Sequence, residues 1–158
     1  MGTVTLYLAA IVAANLTVAA WGPQMTIVNA FLFVGLDLTC RDRLHDAWRG
    51  NGLPWRMGAL IAAGSALSWL VNRDAGQIAL ASFVAFACAA TVDALTYHAL
   101  RSRVWWQRVN GSNILSAAVD SLVFPTLAFG ALLPAIVLGQ FAAKVAGGAL
   151  WAGAIRAW

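Results

Sequence analysis

The sequence predicts an all-α, polytopic membrane protein with about six transmembrane helices. Three observations predict it: hydrophobic residues make up 61% of the 158 and charged residues only 10%, the apolar residues gather into six stretches, and the arginines collect on one side of them. A water-soluble domain of this size carries roughly a quarter of its residues as charges, and this chain has no glutamate at all. The 14 glycines and 8 tryptophans fit the same class, glycine being frequent where membrane helices touch and tryptophan at the membrane–water interface.

The apolar stretches fall at 3–20, 25–40, 57–71, 77–100, 112–130 and 134–158. Each approaches the ~17 to 25 residues of a spanning helix, the second and third being short. Turn-forming residues separate them: Trp21-Gly22-Pro23, Gly50-Asn51-Gly52-Leu53-Pro54, Asn72-Arg73-Asp74, Asn110-Gly111, and Gly130 ahead of Pro134. No soluble domain or low-complexity segment interrupts the series, so residues 1–158 read as one transmembrane domain. No basic residues precede the first apolar run, as a secretory signal requires, and the first helix is expected to be retained. Cys40 and Cys88 lie in or beside apolar runs with no metal-like spacing and read as small buried thiols. His45 sits in a charged connection without a second ligand, so no metal site is expected.

Orientation follows from the arginines. With six spans, Arg41, Arg43, Arg49, Arg56, Arg101, Arg103, Arg108 and Arg156 share one side, and the other side has only Arg73. The positive-inside rule then puts both termini in the cytoplasm. Trp48, Trp55, Trp105 and Trp106 fall near the inner interface, and Trp21 and Trp69 near the outer one, where anchoring in the headgroup region accounts for them. His98 reads as interfacial for the same reason.

The residues that carry chemistry are the ionisable ones left inside the stretches: Asp37, Asp93, Asp120 and Lys144. Each costs several kcal/mol at the bilayer centre unless paired, protonated or facing water. At about 1.5 Å per residue, Asp93 lies about 12 Å beyond the inner arginines, and Asp120 and Lys144 about 18 Å. Asp37 is shallower, one turn from Arg41, where an i,i+4 pair would stabilise it. These charges sit on polar stripes: Asn113, Ser116, Asp120 and Phe124 in the fifth helix, and Asn29, Phe33 and Asp37 in the second. Gln140 lies one turn from Lys144 in the sixth, Asn15 is the strongly polar side chain of the first, and Phe86, Ala90, Asp93 and Tyr97 align in the fourth. Polar and aromatic groups converging at mid-depth point to a binding site or pathway; a buried Lys144–Asp120 pair that only ties helices is the plainer alternative. Three acids against one base leave excess negative charge, so one carboxylate should be protonated or meet a cation.

Small residues recur every four positions in the sixth helix, as Gly139, Ala143 and Gly147 and as Gly148 and Ala152, which permits close helix contact or self-association. Pro125 predicts a kink in the fifth helix beside its polar stripe. Asn29 to Asp37 and Asn113 to Asp120 occupy helices of opposite direction, as two inverted three-helix halves would require, although the spacings differ by one.

Several segments resemble the queuosine precursor transporters, a family also described as vitamin uptake transporters. They are Asp37-Leu38-Thr39 followed by Arg41, Ala81-Ser82-Phe83 leading into Asp93, Arg101-Ser102-Arg103-Val104-Trp105-Trp106, Val119-Asp120-Ser121-Leu122-Val123-Phe124, Ala128-Phe129, and Phe141-Ala142-Ala143-Lys144-Val145. They cover the second, fourth, fifth and sixth helices in order. The chain departs from the longer members in lacking extended termini and in its very short last connection.

The resemblance implies a single transporter domain that takes up a 7-deazaguanine, 7-cyano-7-deazaguanine or its aminomethyl relative, across a bacterial inner membrane. A guanine-like edge offers an N1–H and an exocyclic amine that a carboxylate can accept together, and its flat ring can stack on Phe124 or Phe86. Asp120 and Asp93 would be the acceptors, and Lys144 and Asn113 would meet the carbonyl. Ser116, Asn29, Asp37, Gln140 and Asn15 complete the expected substrate-facing set. The partners expected are this small molecule and membrane lipid, with no nucleic acid and no cofactor; six short helices enclose little volume, which makes a homodimer plausible. Two other classes compete with a transporter working alone. One is the substrate-binding membrane subunit of an energy-coupling-factor vitamin importer; the other is a membrane-embedded enzyme or structural protein, against which stands the lack of a nucleophile elbow or phosphate loop. A transporter of another small heterocycle would leave the same traces.

Overall fold

The computed structural model describes residues 2–48 and 52–155. It contains six α-helices, α1 (Gly2–Trp21), α2 (Met25–Trp48), α3 (Leu53–Val71), α4 (Gly76–Ala99), α5 (Trp105–Phe129) and α6 (Pro134–Ile155), with a 3-10 turn, Arg73–Ala75, ahead of α4. Among the described residues there are no strands, and the chain is an all-α membrane protein. These helices are apolar all round rather than two-faced, which is what lipid on the outside and protein on the inside both favour. Leu80, Leu95 and Leu138 each expose more than three-fifths of their surface, an outward face that only a bilayer covers cheaply.

The stretch Gly2–Trp21, the segment Arg73–Asp93 and the segment Gly111–Phe129 are each long and apolar enough by themselves to cross a membrane. The apolar parts of α3 and α6 are shorter, Trp55–Val71 and Pro134–Gly147. In α2 the helix does not stop at residue 40 as the hydropathy predicts. It continues to Trp48, so Arg41 and Arg43 extend the helix instead of occupying a connection. Charges end an apolar run without ending a helix, since Arg and Asp propagate an α-helix well enough when no glycine or proline intervenes.

The turns are short. Gly22 and Gly130 take left-handed backbone, φ +81° and +68°, which reverses the chain directly after α1 and α5 at little steric cost. Asn72 closes the end of α3 by donating its backbone amide to the Ser68 carbonyl at 3.0 Å and caps the 3-10 turn by accepting the Asp74 amide on its side chain at 3.0 Å. The Arg73 guanidinium lies 3.9 Å over the Trp69 ring, a cation–π contact at the membrane edge.

Small residues set the closest contacts between helices. On α6, a Cβ at Gly147 would lie 3.0 Å from the Phe31 carbonyl oxygen of α2, and one at Gly139 would meet the Ile27 side chain. The stripe that permits close approach is therefore used within the chain, against α2. Residues 148 and 152, its second row, have side chains outside the described set. Beyond this pair, α4 packs most closely on α5, and α1 bridges α2 and α3. Among the described residues the pairing does not repeat between the two halves: α1 packs on α3, while α4 and α6, the equivalent pair, have no comparable contact. The inverted-repeat arrangement is thus not reflected in the packing. The polar stripes of α2 and α5 that suggested it serve different neighbours, α1 and α6.

Candidate functional site

Two polar ties hold α1 to its neighbours. Asn29 of α2 donates through Nδ2 to the Ala14 carbonyl at 2.9 Å and to Thr17 Oγ1 at 2.8 Å. Asn15 donates to Ser68 Oγ of α3 at 3.1 Å, and that hydroxyl donates to the Gly64 carbonyl at 2.8 Å. Asn15, Asn29 and Ser68 are all buried, and in a membrane a buried amide without a partner is costly, so these bonds fix where α1 stands.

A third network joins α5 to α6. Lys144 pairs with Asp120 through Oδ2, donates to Ser121 Oγ at 3.1 Å and, one turn back on its own helix, to Gln140 Oε1 at 3.4 Å. An ammonium has three hydrogens, and three protein acceptors take them. Lys144 is 9% exposed and Asp120 28%. The difference is useful: the lysine is enclosed by its acceptors, while the carboxylate keeps its second oxygen, Oδ1, without a bond among the described residues. Pro125 lies fully buried one turn beyond, where its ring deprives the Ser121 carbonyl of the usual helical hydrogen bond. Thr126 beside it turns its hydroxyl back on the Leu122 carbonyl at 2.7 Å.

These networks surround a partly open cavity of about 160 Å³. Phe33 of α2, Phe86 of α4 and Phe124 of α5 supply rings to its wall, and Asp120, Lys144, Gln140, Asn15 and Asn29 supply polar groups. Among the described residues lining it, Asp120 and Lys144 alone carry formal charge, and they cancel. The size is of the order that admits an aromatic ring in an apolar cavity.

Six of the ten sequence-predicted residues meet here: Asp120, Lys144, Phe124, Asn29, Gln140 and Asn15. Asp93, Asn113 and Ser116 do not line the cavity. Asp93 is half-buried in α4, its Oδ1 enclosed without a hydrogen-bond partner. Asn113 is exposed, and Ser116 donates to the Asn113 carbonyl at 3.1 Å. The stripe Asn113-Ser116-Asp120-Phe124 does share one helical face, since seven residues turn through about 700°, close to two full turns, but Asn113 lies about 10 Å along the axis from Asp120, and the cavity does not extend that far. Asp37 lies on α2, but its side chain, like that of its neighbour Arg41, is outside the described residues. Tyr7, Thr26 and Ser82 line the cavity and were not anticipated. Their signal was present: Tyr7, Ile11 and Asn15 follow at one-turn intervals, as do Ser82 and Phe86. Ser121 was likewise missed, although it adjoins Asp120.

A family model described as "Putative vitamin uptake transporter" matches residues 3–153. The chain belongs to this family. The match runs from the start of α1 to the end of α6, so the cavity and all three polar networks lie within it. The comparisons with curated proteins and with solved structures return no match. The family description names uptake, and the cavity, lined by residues of all six helices, lies within the matched stretch.

Proposed function

We propose that this chain takes up a 7-deazaguanine, a queuosine precursor such as 7-cyano-7-deazaguanine, across a bacterial inner membrane. In this reading the six helices each cross the bilayer, both termini are cytoplasmic, and the transporter works without an ATPase partner. One observation carries the substrate class: Asp120, pinned by Lys144 through one oxygen, keeps the other for a cavity walled by three phenylalanine rings. A guanine-like edge presents N1–H and an exocyclic amine to such an acceptor, and its flat ring fills the space between aromatic side chains. Lys144 holds the carboxylate in place, with no hydrogen left for the ligand. Asn29 and Asn15 act one step removed, by fixing the wall that α1 forms.

The test uses cells unable to make queuosine precursors. Queuosine in tRNA should reappear only when both the precursor is supplied and this chain is expressed. Failure to restore it with the chain in the membrane would overturn the reading. Uptake by the purified chain in liposomes, with no other protein, separates a self-sufficient carrier from a subunit of a larger importer.

A further inference from the structure

Gln140 is among the most completely buried large side chains of the protein, 2% exposed. Its Nε2 has no hydrogen-bond partner among the described residues, and Gln140 is one of the residues that line the cavity. The orientation of the amide is determined by chemistry. Lys144 has only donors, so the atom 3.4 Å from Nζ must be the amide oxygen. The NH2 group is thereby turned away from the lysine, and a buried donor pair in this position calls for an acceptor. Across the Lys144 ammonium, Asp120 offers the complementary feature, an acceptor oxygen, Oδ1, without a partner among the described residues.

We infer that Gln140 is a specificity-determining residue whose Nε2 donates to the ring carbonyl of the substrate while Asp120 accepts from the adjacent ring N–H. Lys144 organises both groups by engaging one oxygen of each. The site then reads an adjacent acceptor and donor, a lactam edge, on a ligand without net charge, since the charges of the described lining residues cancel. An amino group in place of the carbonyl would set donor against a buried donor, the arrangement that polar sites reject most strongly. This inference rests on the 7-deazaguanine reading and assigns its carbonyl a partner.

The test compares 7-deazaguanine with its 6-thio analogue, which retains the ring N–H and exocyclic amine but replaces the carbonyl oxygen with weakly accepting sulfur. Binding is measured on the purified full chain in lipid nanodiscs. Wild-type protein should prefer the oxygen compound by about tenfold. Gln140→Met and Gln140→Glu should each reduce that preference to about twofold or less. The second variant retains an acceptor for Lys144 while removing both amide donors, so a folding defect peculiar to the first cannot decide the result. The ratio of two affinities also cancels any general loosening of the site. If the wild type binds both compounds and the variants keep its preference, Gln140 does not read the carbonyl and the substrate class stands. If the wild type binds neither compound, the substrate reading fails and this assignment fails with it.

Discussion

Lys144 and Asp120 face each other across the α5–α6 contact, and the pair is asymmetric: the lysine is spent entirely on protein acceptors, and the carboxylate only by half. A purely structural ion pair and a substrate-binding carboxylate therefore predict different outcomes when both are changed. Asp120→Asn should lower substrate affinity by about 2 to 5 kcal/mol, because an amide replaces an acceptor with a donor. It should also lower stability by leaving the buried ammonium without its counter-charge. Adding Lys144→Met should recover thermal stability and leave binding impaired. Recovery of both in the double variant, measured by ligand binding and Tm, would reduce the pair to a helix tie.

Asp93 provides the converse case. It resembles Asp120 in sequence terms, a carboxylate deep in an apolar helix, yet it does not reach the cavity. Asp93→Asn should change 7-deazaguanine affinity by less than about threefold, within the range left by one peripheral neutral substitution. A loss comparable to that of Asp120→Asn would show that the ligand extends to α4 beyond Phe86.

The contrast between those two aspartates shows how much of the site could be read from residue order. That polar groups converge from α1, α2, α5 and α6 was legible, because a bilayer leaves few reasons for Asn15, Asn29, Asp120, Gln140 and Lys144 to sit in apolar helices. Which of them faces a ligand was not. Asn29 spends both amide hydrogens on α1, and Lys144 all three on its neighbours, and such choices depend on distances between helices that no spacing rule supplies. The boundary of α2 was misread for a related reason, since hydropathy reports where lipid contact ends and not where helical hydrogen bonding ends.

Asn29→Ala should cost stability more than affinity. The substitution leaves the Ala14 carbonyl and Thr17 hydroxyl of α1 without their amide donor, a loss of about 1 kcal/mol for polar contacts between membrane helices. Thermal unfolding in detergent should show a lowered Tm, while the residual folded protein binds within about threefold of wild type. A selective loss of binding at unchanged Tm would move Asn29 into direct contact with the substrate.

At Gly139 and Gly147 the shorter contact should be the cheaper one to crowd. A Cβ at 139 meets the end of the Ile27 side chain at 2.5 Å, which can change rotamer, whereas at 147 it meets the Phe31 carbonyl at 3.0 Å, part of the backbone. Gly147→Ala should therefore destabilise more than Gly139→Ala, by about 1 to 3 kcal/mol where the helices must separate. The reverse order in thermal stability would mean that α2 yields more readily than Ile27.

With Cys40 and Cys88 replaced, single cysteines at Ser102 and Asp74, both exposed, should react with impermeant thiol reagents from opposite sides of the membrane. Residue 102 should label from the cytoplasm and residue 74 from outside. Labelling of both from one side would overturn the six-span topology.

The cancellation of charge among the described residues of the cavity wall has an energetic consequence for transport. One elementary charge moved through the whole membrane field exchanges about 2.3 kcal/mol with each 100 mV of potential. Asp120 and Lys144 travel or stay together, so a site occupied by an uncharged ring exchanges almost none. The membrane voltage then has nothing to act on, and a cell at any resting potential would import such a ligand only as fast as its own chemistry consumes it, unless a separately bound ion brings in the missing charge.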